Sequence, residues 1–462
     1  MPSHDPSPLV VHAPGALFVA TDELLAHLPV LTRLADEVEA DGHRAAWLSL
    51  EAPSAMLRAE LDACERRSFE LADRVRRMRT AIAAAELAYS AAERSATAVH
   101  DVVSDWAAAL LLRPAARLLL PWLALGGLAM WHLAPGSDEQ KRAAIGRWML
   151  ENPQVITSPE FTALVGRVVS GADDFVLGDP LLMALLGEHG LGLMGAGTSA
   201  AVLSGVAALA GTSVLTETPV RVRHVASGPG TPPSGAAERL RRVPDQKQVR
   251  IERYSAPGEP DRFIVYVAPT QTFSPVADAE PWDLTSNITG VAGLPSGSIR
   301  ATEQAMAHAG IRPDSQVVLV GYSQGGLVAD AIAGSGRWNV AGLETYGDPG
   351  GGVDLPDGIR GLAVRHSDDF IPATGGPQQP VDRVIVERRA FPDAAVIPTD
   401  RPAPAHQKDA YLATARDIDG ARSSAIRDEL RALDAFARDY TERAGGNVTT
   451  SEYRAERISG SS

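Results

Sequence analysis

The spacing of apolar residues divides the chain into a helical half and a half in which strands and helices alternate. From Thr21 to about Val103, apolar side chains recur in alternating steps of four and three, which predicts two helices joined by a turn. The second helix carries a coiled-coil-like apolar stripe, which we call the seam. The seam comprises Leu57, Leu61, Cys64, Ser68, Leu71, Val75, Met78, Ile82, Ala85, Tyr89, Ala92, Ala96 and Val99. Because a single apolar stripe must be buried, we expect the seam to pack on the first helix or on another chain.

Two apolar stretches follow the predicted helix pair, at residues 118–137 and 190–216. A membrane-spanning helix needs about 20 apolar residues, so both stretches are long enough to cross a membrane. Prolines in the first and glycines in the second favour buried helices, and membrane contact is the alternative. Between them, residues 137–140 predict a capping box, and residues 158–160 predict a helix start with Pro at its first position.

The pattern changes around a Pro/Gly-rich loop or linker at residues 226–235. Beyond it, strand-length apolar runs alternate with helical segments, an order that predicts a mostly parallel sheet with helical crossovers. Strands are predicted at 248–255, 262–269, 316–323, 340–348, 359–369 and 382–389, and helices at 298–309 and 327–334. The sequence therefore predicts an N-terminal tail (1–20), an all-α domain (21–216), an α/β domain (217–440) and a disordered tail (441–462).

Charge and cysteine content exclude several classes of protein. The 462 residues carry a formal net charge of −14, which argues against a general nucleic-acid binder. Cys64 is the sole cysteine, so neither an intrachain disulfide nor a cysteine-rich metal site can form. The N-terminal residues lack a basic segment followed by an apolar one, and a Sec-type signal peptide is therefore not expected.

The strongest candidate chemistry lies in the segment Gly321-Tyr322-Ser323-Gln324-Gly325. This G-x-S-x-G motif follows an apolar strand and precedes a helix, the setting in which such a serine acts as a nucleophile. Small residues at positions 321 and 325 let the helix pass close to the strand. The amide of Gln324 would lie at a helix N-terminus, where N–H groups point at a developing oxyanion. A glycine-rich turn with a structural serine is the alternative interpretation.

A nucleophilic serine needs a base, and the base needs an orienting acid. Only His366 and His406 follow Ser323, and His406 is favoured because it lies in a loop after the last predicted strand. Three carboxylates near strand ends are candidates for the acid: Asp348, Asp368 and Asp369.

A second oxyanion donor is expected in the loop after the strand at 262–269. The amide of Thr270 or Gln271 is favoured, since Pro269 has no N–H. The next segment either lines a substrate cleft or fixes this loop, through Trp282, Asp283, Thr285, Ser286 and Asn287.

Residues from about 218 to 440 resemble the α/β-hydrolase superfamily, and within it the cutinase, PE-PPE and class 3 lipase branches. The matching segments are GYSQGG, TYGDPGG, DDFIP and HQKDAY, in the order of the family. The resemblance implies Ser323 as nucleophile, His406 as general base and Asp369 as the acid that holds His406, with Asp368 as the alternative acid. It also implies ester hydrolysis through an acyl-enzyme, without a metal or an organic cofactor. The chain differs from most cutinases, which carry disulfides.

The predicted helix pair resembles the WXG-type hairpins that type VII secretion systems handle. The turn contains Trp47-Leu48-Ser49, with Ser where the family has Gly, and Tyr89 and Glu93 match the tyrosine-x-x-x-acid export signal. A seam residue beside a solvated glutamate is the alternative interpretation. The resemblance implies export or attachment to the cell envelope by a non-Sec route, with a cytoplasmic location as the alternative.

These features together predict a serine ester hydrolase that acts on acyl or lipid esters. Its helical module would serve export, docking or membrane contact, and no nucleic-acid partner is expected. The alternative is a partner-binding or secretion-linked protein in which a hydrolase-like domain is inactive. In that case the seam would bind a helical partner or a second copy of the chain.

Overall fold

The computed structural model of the chain describes residues 9–12, 19–50, 52–76, 137–170, 215–274, 276–294, 296–350, 355–376, 383–392, 395–442 and 445–458. The chain divides into two compact units, Gly15–Trp106 and Met1–Pro14 with Ala107–Ser462. This division differs from the predicted domain boundary at residue 216. In the described part of the larger unit, the helix Pro159–Ser170 packs on the α/β part of the chain.

The smaller unit is a pair of antiparallel helices, α1 (Val19–Leu50) and a helix over residues 55–76. Small residues form their contact, with Gly42 against Ser68 and with Ala35 and Ala72 buried. At one end of the pair, Ser49 donates a hydrogen bond to Asp62. Small side chains at these positions let the two helices approach closely.

In the described part of the pair, the seam contributes Ser68 to this contact, but several other seam residues are exposed. Leu57 and Leu71 are 39% and 49% exposed, and Cys64 is exposed as well. Packing on the first helix, one of the two expected alternatives, is therefore not found for Leu57, Cys64 and Leu71. The helix is turned so that Phe69 and Ala72 pack instead, with the Phe69 ring 5.0 Å from the His43 ring. Residues 77–99 of the seam, with Tyr89 and Glu93, lie outside the described residues.

The larger unit is built on a nine-stranded mixed sheet. Its strands are β1 (Val10–His12), β2 (Val220–Pro229), β3 (Val249–Ser255), β4 (Arg262–Val267), β5 (Gln316–Tyr322), β6 (Val340–Tyr346), β7 (Arg360–His366), β8 (Val384–Arg388) and β9 (Asn447–Arg457). The spatial order is β1-β8-β7-β6-β5-β4-β3-β9-β2. Strands β4 to β8 are parallel neighbours, and the outer strands pair antiparallel. The prediction of an α/β architecture is confirmed, and the predicted parallel pairing holds for the core strands β4 to β8 of a mixed sheet.

Helices cover both faces of the sheet, which explains the continuous apolar runs of the central strands. On β5, Val318 and Val320 belong to one hydrophobic core, and Val317 and Leu319 belong to the other. The first core is covered by α5 (Gly235–Arg242), α10 (Lys408–Asp419) and α11 (Ser424–Thr441), and the second by α7 (Gly297–His308) and α8 (Gln324–Gly334). The other helices described in this unit are α2 (Asp138–Glu151), α3 (Pro153–Ile156), α4 (Pro159–Ser170), α6 (Leu284–Val291) and α9 (Phe370–Ala373).

Three strands lie where the sequence predicts tails or a linker. β1 lies in the predicted N-terminal tail, the second half of β2 in the predicted linker, and β9 in the predicted disordered tail. β9 is inserted between β3 and β2, with Tyr453 opposite both Val249 and His224. The prediction of disorder over 441–462 is therefore wrong for β9. Its polar sequence gives no apolar pattern typical of a strand, because β9 is held mainly by backbone pairing with β2 and β3.

Two helix starts in the N-terminal region follow the sequence prediction. Ser137 and Gln140 form the capping box of α2, each side chain bonding to the backbone N–H of the other. α4 begins at Pro159, where the Ser158 hydroxyl accepts from the Phe161 amide at 3.2 Å.

The two predicted apolar stretches fall almost entirely outside the described residues. The helices that the structure does describe include none with the length and apolar character to span a membrane.

Candidate active site

Ser323 lies at the turn between β5 and α8. Its backbone has φ +54° and ψ −125°, a region that residues other than glycine rarely adopt. Its amide donates to the Tyr346 carbonyl at 2.8 Å. A Cβ at Gly321 would lie 2.1 Å from the carbonyl oxygen of Gly325, and a Cβ at Gly325 would lie 2.1 Å from that of Val267. Only glycine at both positions lets the strand, the turn and the helix approach so closely.

His406 reaches Ser323 from the segment between β8 and α10. It ends a 3₁₀ turn, Pro404–His406, and its Nε2 lies 2.8 Å from the Ser323 Oγ. The Tyr322 hydroxyl donates to the backbone carbonyl of His406, and the two rings stack with centroids 5.4 Å apart. The side chain of His406 is 11% exposed, and Ser323 is 6% exposed. Ser323 and His406 are thus mostly buried, and a small part of each residue remains in contact with solvent.

Asp369 follows β7 and holds the far side of the His406 ring. Its Oδ2 lies 2.6 Å from Nδ1 of His406 and accepts a second bond from the Tyr411 hydroxyl at 2.8 Å. Its Oδ1 accepts from the Ile371 amide at 3.0 Å, which caps the short helix α9. The structure thus brings Ser323, His406 and Asp369 into one hydrogen-bonded series.

The alternative acids have other partners. Asp368 accepts from the amides of Ala390 and Phe391, both at 2.8 Å, and so ties the end of β8 to the end of β7. Burial raises the pKa of Asp368. Asp348 accepts from the Gly350 amide at 2.7 Å, and burial, followed by the nearby Asp330, raises its pKa well above the ordinary range. Neither carboxylate has a hydrogen bond to His406 among the described contacts.

His366, the other candidate base, is buried away from Ser323. Its Nδ1 lies 2.7 Å from the Ala405 carbonyl, and its Nε2 lies 2.8 Å from the Thr414 hydroxyl. Burial lowers the pKa of His366 to about 4, so the ring is neutral near pH 7. A neutral ring satisfies both partners when Nδ1 carries the proton and Nε2 accepts.

The loop after β4 contains the predicted oxyanion donors. The amides of Gln271 and Thr272 both donate to the Trp282 carbonyl, at 2.8 and 3.2 Å. The Gln271 amide is therefore engaged elsewhere, which leaves Thr270 as the candidate. The Thr270 hydroxyl accepts from the Asn287 amide group at 3.1 Å, and no described residue accepts from the Thr270 N–H.

The segment 282–287 fixes this loop. Trp282 is fully buried and supplies its carbonyl to the loop, and Asp283 caps α6 by accepting from the Ser286 amide at 2.9 Å. On the other side of the site, the Gln324 amide begins α8, where the first N–H groups of a helix have no partner within it. Its side-chain amide points to the Asp283 carbonyl and the Ser298 hydroxyl.

Sequence reasoning assigned no role to Tyr322 or Tyr411, which both contact the series. Tyr322 occupies the variable position before the serine, and Tyr411 ends the segment HQKDAY. Their hydroxyls reach the backbone of His406 and the carboxylate of Asp369. Both tyrosines lie close to motif residues in the sequence. That closeness does not indicate where a side-chain hydroxyl points in the fold.

The arrangement can activate a serine hydroxyl. A neutral His406 can take the proton of Ser323, and the Asp369 carboxylate keeps the ring oriented and stabilises its charged form. Among the residues that the structure describes, no group of three or more His, Cys, Asp or Glu side chains is placed to hold a metal ion.

Comparison with known proteins identifies no relative of the chain. No family model matches the chain, and no curated protein and no solved structure is significantly similar to it.

Proposed function

We propose that this protein is a serine ester hydrolase with an α/β-hydrolase fold that acts on acyl or lipid esters. The observation that carries the proposal is the series from Ser323 through His406 to Asp369, with bonds of 2.8 and 2.6 Å. The strained backbone of Ser323 supports it, because strain of this kind concentrates at functional sites. The single turn between β5 and α8 presents the hydroxyl to His406.

The proposed reaction proceeds in two halves. Ser323 Oγ attacks the ester carbonyl carbon while His406 Nε2 takes the hydroxyl proton, and the amides of Gln324 and Thr270 stabilise the oxyanion. His406 then gives the proton to the departing alcohol, which leaves an acyl group on Ser323. Water, deprotonated by His406, attacks the acyl-enzyme, and His406 returns the proton to Ser323 Oγ as the carboxylic acid leaves. Asp369 stays ionised throughout and stabilises the charged ring.

Fluorophosphonate labelling of the full chain tests the proposal. We expect an adduct on Ser323, identified by mass spectrometry, that is absent in Ser323→Ala and at least ~100-fold slower to form in His406→Ala. Ser335→Ala, a change at the other end of α8, is the matched control and should label at the wild-type rate. A folded wild-type protein that does not label, or an adduct that persists in Ser323→Ala, would contradict the proposal. p-Nitrophenyl esters of increasing acyl length would then define the substrate class.

A second candidate function is partner binding through the seam. The exposure of Leu57 and Leu71 on the helix over residues 55–76 favours it, since an unburied heptad stripe is typical of a helix that pairs with another. We expect the wild-type chain to self-associate and Leu71→Asp to be monomeric by light scattering. Arg74→Asp, at an exposed position of the same helix, is the control. A wild-type chain that is monomeric at every concentration would contradict self-association.

Export by a non-Sec route, which the resemblance to WXG-type hairpins implies, stays a prediction from the sequence.

A further inference from the structure

The carboxylate of Asp369 accepts hydrogen bonds from two side chains at one oxygen. Oδ2 accepts from Nδ1 of His406 at 2.6 Å and from the Tyr411 hydroxyl at 2.8 Å. We propose that Tyr411 is a positioning residue of the site, whose hydroxyl fixes the Asp369 carboxylate and weakens its attraction for the proton on His406. The inference rests on the function proposed above and adds a residue to the same site.

The Tyr411 hydroxyl remains a donor over the whole working range of pH. The side chain is fully buried, and burial, together with the negative charge of Asp369, raises the pKa of Tyr411 well above its ordinary value. The phenol therefore keeps its proton and donates it to an ionised oxygen. Hydrogen bonds of this charge-assisted kind are roughly twice as strong as those between neutral groups.

The ring of Tyr411 is held in place by His366. The two rings stack with centroids 3.9 Å apart and planes 13° apart. His366 is itself fixed by the Ala405 carbonyl and the Thr414 hydroxyl. Ala405 precedes His406, and Thr414 follows Tyr411 by about one turn of α10. The neutral histidine thus supports both the tyrosine and the backbone that carries the general base.

Sharing one oxygen has an electrostatic consequence. The Tyr411 hydroxyl partly neutralises the charge that Asp369 presents to His406. Without the hydroxyl, the carboxylate would attract the proton on His406 more strongly, and His406 would release it only at higher pH. Because the reaction needs neutral His406, the acidic limb of the pH–rate profile should move to higher pH.

The hydroxyl can be removed without changing any charge. The other ionisable groups near this set are Tyr322, His366, Asp368, Arg388, Asp245 and Asp409. Within the described part of the chain, His406 and Tyr411 are the only side chains that donate hydrogen bonds to Asp369. A change in the pH profile of Tyr411→Phe therefore reports on this one bond.

The test is the rate of fluorophosphonate labelling of Ser323, measured from about pH 4 to 9, in the wild-type chain and in Tyr411→Phe. We expect the midpoint of the acidic limb to rise by about 0.5–1 pH unit in Tyr411→Phe, so that labelling below the midpoint slows about three- to tenfold. Tyr440→Phe is the matched control, because it removes a hydroxyl on α11 that donates to the Pro260 carbonyl, outside the site. It should reproduce the wild-type profile.

Two results would overturn the inference. One is a Tyr411→Phe profile that coincides with the wild-type profile, and the other is a uniform loss of rate with an unchanged midpoint, which only a packing role would give. Should Tyr411→Phe not fold, Tyr411→Met provides a second variant that fills the space without a hydroxyl. Absence of labelling at Ser323 in the wild-type chain would instead contradict the proposed function, and the inference about Tyr411 would fail with it.

Discussion

At the scale of single residues, two histidines near Tyr411 have opposite environments. His406 is partly exposed and bonds to Ser323 and Asp369, whereas His366 is buried between a carbonyl and a hydroxyl. The same residue type therefore serves two purposes. In the proposed reaction the ring of His406, which borders solvent, exchanges a proton with the reacting group, and the buried ring of His366 must stay neutral to keep its partners.

The depressed pKa of His366 predicts how stability varies with pH. His366 has a pKa of about 4 in the fold, below the ordinary value of 6.5. Below pH 6.5 the unfolded chain therefore binds a proton that the folded chain excludes, and stability is lost as the pH falls from 6.5 toward 4. We expect the wild-type chain to lose about 2–3 kcal/mol more free energy of unfolding than His366→Gln between pH 7 and 4.5.

Urea unfolding at the two pH values measures this difference. Contributions from other groups are common to both variants and cancel when the two losses are subtracted. His308→Gln, at an exposed position on α7, is the control and should keep the wild-type dependence. An equal loss in the wild type and in His366→Gln would show that His366 accepts a proton in the fold as readily as in the unfolded chain.

Ser323 and His406 could be predicted from the sequence because a motif and its order along the chain define them. Asp369 could not be separated from Asp368 by the residues alone, since adjacent positions at a strand end point in different directions. Only the fold shows that Asp368 turns to the amides of Ala390 and Phe391. The role of Tyr411 depends on how α10 packs, and no local pattern encodes it.

At the scale of elements, α4 packs on the segment that carries Asp369, the acid of the proposed triad. The rings of Phe161 and Phe370 meet edge to face at 5.6 Å, and Gly166 faces Ala373 of α9. Phe370 directly follows Asp369. A helix from the region predicted as a separate domain thus supports the position of the acid.

This contact predicts an effect of Phe161→Ala on the site. Loss of the ring removes the apolar support of Phe370 and leaves the Asp369 segment less well held. We expect labelling of Ser323 to slow about tenfold, because small misplacements of catalytic groups are costly. The free energy of unfolding should fall by about 1–3 kcal/mol, less than for a fully buried phenylalanine.

Trp148→Ala on α2 provides the matched control. It also removes an aromatic ring from the N-terminal helices, but Trp148 is 46% exposed. It should leave the labelling rate unchanged. Equal effects of the two variants on labelling would mean that α4 has no particular influence on the acid.

The central elements could be predicted because burial on both faces leaves a strong signal in the sequence. Strands β3 to β8 lie within three residues of their predicted bounds at each end. The outer strands β1, β2 and β9 were missed wholly or in part. They are short or polar, and pairing with distant partners defines them. A pattern along the chain cannot show which distant strand will pair.

At the scale of the whole molecule, one buried arginine joins three distant parts of the chain. Arg457 at the end of β9 makes a two-pronged pair with Asp283, at 2.6 and 3.0 Å. It also lies 3.2 Å from Glu217, which precedes β2, and it donates to the Glu280 carbonyl at 2.8 Å. The C-terminal strand is thereby tied to the segment 282–287, which fixes the loop after β4.

Replacing Arg457 by Met should therefore be strongly destabilising. The change removes the cation and leaves the buried carboxylate of Asp283 without its charge partner, which costs about 3–5 kcal/mol in comparable buried pairs. Burial already raises the pKa of Asp283, and loss of Arg457 would make its protonation easier still. The destabilisation should accordingly be smaller at pH 4 than at pH 7, since protonation removes the uncompensated charge.

Arg454→Met separates this effect from the mere loss of a positive charge on β9. Arg454 lies on the same strand and is exposed, so its replacement should change the free energy of unfolding by less than about 0.5 kcal/mol. Urea unfolding of both variants at pH 7 and pH 4 gives the comparison. If Arg457→Met loses as much stability at pH 4 as at pH 7, the loss stems from packing at the end of β9. A loss that shrinks at pH 4 shows that Arg457 ties β9 to the segment 282–287 through its charge.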